Sequence, residues 1–176
     1  MGPHPQRHPT DHCCLAPLSN LNPNPKTNII MKLNWTKAII AGLIGTLLFD
    51  LLGLLITGQW WDIPSLLGNK LGVGLAGGVI GHYANGATIA IIYAAMRPSL
   101  FGPNWFRGVS FITAQTVLGV WLFMLPLLGA GIAGIDANPL MPVITLARHL
   151  LFAVPLIIIL RPQADELTAP APAVAQ

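Results

Sequence analysis

Four apolar runs govern what this chain can fold into. They cover about 38–57, 71–96, 105–128 and 142–160, each close to the ~20 residues that carry an α-helix across ~30 Å of hydrocarbon. The runs are continuous, without the alternation of apolar and polar residues that transmembrane strands require. A helix satisfies its backbone hydrogen bonds internally, as hydrocarbon demands. The Gly and Pro residues inside the runs are tolerated in that setting. Composition agrees: 53% of residues are hydrophobic and 9% charged, against about 25% charged in a soluble domain. The expected fold class is therefore all-α integral membrane, an up-down bundle of four transmembrane helices within 36–162.

The intervals between runs, "GQWWDIPSLLGNK", "RPSLFGPN" and "GAGIAGIDANPLM", carry Gly, Pro and Asn and read as turn-rich connections. Residues 1–35 form a leader rich in Pro, Asn and His without the apolar core of a signal peptide. Met31, just before the first run, is an alternative start. Residues 163–176 are an Ala/Pro-rich tail expected to be disordered. The leader's "HPQRHPTDHCC" offers His4, His8, His12, Cys13 and Cys14 as a flexible metal-binding peptide. Disorder is the simpler reading, because a structural zinc site needs a second spaced pair of ligands.

The net charge of +3 is spread between the runs and forms no basic patch, so nucleic acid is not an expected partner; the lipid bilayer is. Lys26, Lys32, Lys37, Arg97, Arg107 and Arg161 fall on the side that holds both termini, and Lys70 alone on the other. By the positive-inside rule both termini are cytoplasmic. Trp60, Trp61 and Trp105 sit at the expected interfaces.

Ionisable residues inside a bilayer are expensive and need partners or water. There are four: Asp50, His82, Arg148 and His149. Asp50 lies about seven residues before the end of its run, His82 about eleven after the start of its own, and Arg148 and His149 about six or seven after theirs. At 1.5 Å per residue all four occupy similar depth in the outer half. Asp50 shares a stripe with Gly42, Thr46, Gly53 and Thr57. His82 occupies one place in the series Gly74, Gly78, His82, Gly86, Ala90, Ala94. Such small-xxx-small rows let helices approach closely, so Gly74, Gly78, Gly86 and Ala90 are candidate packing positions and His82 faces inward. Asn85 and Gln115 add two amides to the polar set.

"IGTLLFDL" (44–51) also echoes "LGVWLFML" (118–125), and each following helix carries a histidine and ends in Arg-Pro. Two helix-pair repeats with His82 and His149 as counterparts would give that pattern.

Three functions fit this polar set. The leading one is structural or in assembly: Asp50 pairs with Arg148 and the histidines bind neighbouring helices. The second is a small transporter or proton relay working as a homo-oligomer, since intramembrane Asp, His and Arg recur in such pathways. The third is a membrane redox carrier with haem b held between His82 and His149. No motif demands a cofactor or a metal. An enzyme is disfavoured, because nucleotide, nucleophile-elbow and metalloprotease signatures are missing. The formal G-x-G-x-x-G at Gly72, Gly74 and Gly77 follows no strand.

The segments "GHYANGATIAIIYAAMRPSL", "WFRGVSFITAQ", "LPLLG" and "LARHLLFAVPLIIILRP" together resemble the YagU-like and related four-helix bacterial inner-membrane proteins of unknown function. The matching positions are His82, Tyr93-Ala94, Trp105 with Gly108, Pro126-Leu127 with Gly129, and His149. The resemblance implies a bacterial inner-membrane protein. It draws attention to the two histidines and names no substrate.

Overall fold

The computed structural model describes Gly2 and residues 34–161. The leader residues His4, His8, His12, Cys13 and Cys14 and the 163–176 tail lie outside the described residues. Among the described residues the chain is helical, with no strand, and four helices are long and apolar enough to cross a membrane.

Helix α1 is Trp35–Thr57. The Asn34 side chain accepts from the Lys37 N–H at 3.0 Å, which satisfies one of the free donors of the first turn. Gly58, at φ 71°, stops the helix by turning its own N–H onto Leu54 O.

The interval after α1 departs from the turn-rich connection expected of it, because Asp62–Leu71 is a ten-residue helix, α2. Its local signals are short but consistent. Asp62 in the first turn and Lys70 in the last complement the helix dipole. Pro64 falls in the first turn, where no intrahelical bond is lost, and Gly72 at φ 70° ends the helix. Helix α3 follows over Gly74–Met96.

Helix α4 covers Asn104–Leu127 in three parts. An α-helical start, Asn104–Gln115, leads into nine π-helical residues, Thr116–Met124, and a last turn, Leu125–Leu127. The wider register shows in the Leu125 N–H reaching Val120 O, five residues back. The echoing octapeptides thus differ in backbone: 44–51 is α-helical, whereas 118–125 is π-helical up to Met124. Helix α5 is Met141–Ile159.

Residue pairs set the directions. Gly42 meets Gly86, while Asp50, further along α1, meets His82, which is earlier on α3; α1 and α3 are antiparallel. Gly45 meets Phe152 and Gly53 meets Arg148, so α5 also runs against α1. Gly108 meets Ile157 and Trp121 meets Thr145, so α4 runs against α5. Helix α1 is central, packed along α3 on one side and α5 on the other, with α2 on α3 and α4 on α5.

One half of the bundle is an apolar core: Ala38, Ala41, Ala90, Tyr93, Ile112 and Leu156 are fully buried. There α3 and α4 touch through Tyr93 and Phe111, with ring centroids 5.3 Å apart. Beyond this contact they share little. The π-helical half of α4 is held to α5 instead, where Trp121 Nε1–H donates to Thr145 Oγ1 at 2.8 Å. The polar half of α1, α3 and α5 therefore has no α4 residue against its cavity.

Candidate functional site: an ionic tie beside a two-histidine cavity

Arg148 is the hub of the polar half. It is 3% exposed, so each of its donors requires an acceptor. Its two terminal nitrogens donate to the two carboxylate oxygens of Asp62, at 2.6 and 2.9 Å. This is the bidentate geometry that makes Arg–carboxylate pairs strong. Its Nε–H donates to Phe49 O at 3.2 Å, and its Cζ lies 4.1 Å from the Phe49 ring centroid, a cation–π contact. Gly53 makes room for the guanidinium, which a Cβ there would strike. One side chain of α5 thus grips α1 and α2 together.

The expected Asp50–Arg148 ion pair is present, as the longer of the two that Arg148 makes. Arg148 Nη2 stands 3.9 Å from Asp50 Oδ1, beyond hydrogen-bonding distance. The guanidinium fork is spent on Asp62, which α2 swings over the end of the bundle. A turn-rich connection would not hold Asp62 in place for Arg148; helix α2 does.

Asp50 is 2% exposed. Its Oδ1 accepts from His82 Nε2–H at 3.1 Å, and its Oδ2 meets no hydrogen-bond geometry among the described residues. His149 Nδ1–H donates to Thr145 O at 2.7 Å. The two imidazoles share one neighbour, Phe49, whose ring centroid is 5.5 Å from that of His82 and 4.9 Å from that of His149. Both histidines line a cavity of about 40 Å³ together with Thr46, Asn85, Gly86 and Phe152. That volume holds about three waters.

Of the sequence-derived set, Asp50, His82, Arg148 and His149 converge. Asn85 is exposed on α3 and borders the cavity. Gln115 stands apart: it sits on α4 at the start of the π stretch, its Oε1 buried without a partner among the described residues. Trp121 was overlooked, although an indole N–H inside an apolar run demands an acceptor.

The small residues occupy two crossings. Gly86 faces Thr46 and Gly42 on α1, and Gly78 faces Pro64 and Gly68 on α2. Gly74, at φ 68°, opens α3, with its carbonyl against Gly68. Ala90 is fully buried.

Among the described residues, no three of His, Cys, Asp and Glu gather as a metal cage. No family model, curated protein or solved structure matches the chain.

Proposed function

We propose that the chain is a multi-pass bacterial inner-membrane protein with cytoplasmic termini and a structural or assembly role, in which the intramembrane polar residues lock the helices together. The observation that carries this reading is the Arg148 grip, with three hydrogen bonds to acceptors on two other helices. All three of its guanidinium nitrogens donate to protein acceptors. Exposed Leu55, Ile80, Leu118, Phe123, Val143 and Ile158 give the bundle an apolar exterior suited to lipid. The basic residues favour the stated orientation.

The test neutralises the network as a set: Asp50→Asn, Asp62→Asn and Arg148→Gln in one chain. A structural role predicts that this chain inserts, forms the same oligomer on native gels and replaces the wild type in a deletion strain. A chain that inserts and assembles normally yet fails to replace the wild type contradicts the reading.

The cavity favours a second reading, a small transporter working as a homo-oligomer, because it adjoins the Asp50–His82 pair and is not covered by α4. In proteoliposomes His82→Ala and Asp50→Asn would each abolish flux while leaving insertion intact. Flux retained in both variants removes this reading.

A further inference from the structure

We infer that the junction of α3 and α4 is a binding site for the phosphate headgroup of an anionic phospholipid, held by Arg97, where α3 ends, and Arg107, where α4 begins. This goes beyond the structural role and does not depend on it.

The first support is a pair of half-buried charges with no opposite charge beside them. Arg97 opens the short 3-10 turn Arg97–Ser99 that closes α3, and Arg107 lies in the opening turn of α4, just across the connection 100–103. Both side chains are half-buried. Arg107 Nε–H donates to Gly102 O at 2.8 Å, which draws the guanidinium back over the connection. Its two terminal nitrogens and the whole Arg97 guanidinium have no acceptor among the described residues. Every ion pair among those residues involves Asp50 or Asp62. The described carboxylates, Asp50, Asp62 and Asp136, all belong to the other half of the bundle. Tyr93 brings the two charges together. Its hydroxyl lies against Gly108, 3.5 Å from where a Cβ would stand, and both guanidiniums act on it electrostatically. Charges drawn out of water are costly without a partner, and two of one sign around one point repel as well. One bound anion relieves both.

The start of α4 is the second support. A helix N-terminus favours a carboxylate in its first turn and a side-chain acceptor at its cap. This one has neither: Pro103 occupies the cap position without a side-chain hydrogen bond, and the first turn holds no acid. Arg107 therefore adds to the positive end of the dipole instead of cancelling it. The one buried side-chain acceptor of that turn, Asn104 Oδ1, is neutral and balances no charge. An oxyanion suits such an end, and the guanidinium fork matches phosphate. The surroundings select a lipid over a free anion. Phe101 is 80% exposed and Trp105 59%, with Met96 exposed beside them. Apolar side chains around basic ones at a bundle end offer contacts to acyl chain and headgroup together.

The full chain in detergent micelles is titrated with phosphatidylglycerol, phosphatidylcholine or inorganic phosphate, and bound ligand is counted by native mass spectrometry. Phosphatidylglycerol is expected to bind at least ~10-fold more tightly than phosphatidylcholine, and Arg97→Gln and Arg107→Gln each to lower its affinity about 5-fold. Arg161→Gln, which removes an exposed arginine at the same end of the bundle, should leave it unchanged. A phosphatidylglycerol with a photoreactive headgroup, crosslinked to the wild-type chain, gives a readout that needs no variant and should label 97–107. Equal binding of the two lipids, an equal loss in Arg161→Gln, or labelling confined to other segments overturns the site. Inorganic phosphate binding as tightly as the lipid overturns it too, since the pair would then serve a free anion.

Discussion

The crossing of α1 and α3 makes an asymmetric prediction about two glycines that face each other. A methyl group at Gly42 would stand 2.6 Å from Gly86 O and 2.7 Å from Ala87 Cα. Both are backbone atoms, so no rotamer change relieves the contact. Reaching ordinary contact near 3.4 Å requires the helices to separate, which loosens every pair along the crossing. Overpacking of this kind costs about 1–3 kcal/mol, and Gly42→Ala belongs near the upper end. At Gly86 the obstruction is mainly the Thr46 hydroxyl, with Gly42 O at a milder 3.3 Å. Thr46 donates to Gly42 O at 2.9 Å within its own helix, so it is a removable side chain. Gly86→Ala should cost about 1–2 kcal/mol, and Thr46→Ala should recover most of that loss while leaving Gly42→Ala uncorrected. Steric-trap or denaturant unfolding in bicelles reads both. Near-wild-type stability of Gly42→Ala, or no rescue of Gly86→Ala by Thr46→Ala, would refute the close approach of these two backbones.

Two further perturbations separate satisfied from unsatisfied polar groups. Tyr93 is fully buried and its hydroxyl has no partner among the described residues, so Tyr93→Phe should leave stability unchanged or raise it by up to about 1 kcal/mol. A loss above that size in an unfolding titration would reveal a partner for the hydroxyl. Asn104 Nδ2 donates to Ile157 O at 2.7 Å, tying the start of α4 to the last turn of α5, and Asn104→Ala should cost about 1 kcal/mol. Hydrogen exchange at the end of α5 should rise with it, and unchanged protection there would count against the tie.

Much of the architecture can be read directly because hydrocarbon permits so few solutions. Runs of about 20 apolar residues have to be helices, and α1, α3, α4 and α5 begin and end within a few residues of the run limits. The position of Asp50, His82, Arg148 and His149 along their runs carries information about depth, since rise per residue is constant. What escapes such reading is non-local or short. Helix α2 spans ten residues, too few to register as a periodic segment, and its Pro64 and Gly68, with Gly72 just beyond it, resemble turn punctuation. Missing α2 means missing Asp62, and then Asp50 becomes the only carboxylate left to offer Arg148. The π stretch of α4 has no compositional marker. The uncovered cavity follows from how far α3 and α4 diverge beyond Tyr93 and Phe111, a tertiary quantity.

The pairing of Arg148 with Asp62 is the claim on which the rest of the site depends, and a double-mutant cycle tests it most directly. Unfolding free energies are measured in bicelles for Arg148→Gln, Asp62→Asn and the combined chain, with Asp50→Asn paired to Arg148→Gln as the comparison. Removing one partner of a buried pair costs about 3–5 kcal/mol, largely by leaving the other charge uncompensated. Asp62 retains some exposure, so a value near the lower end is expected. The account predicts a coupling of about 2–3 kcal/mol for Asp62 with Arg148 and a clearly smaller one for Asp50 with Arg148. Additive single-variant effects at Asp62 and Arg148, or a larger coupling to Asp50, would contradict it.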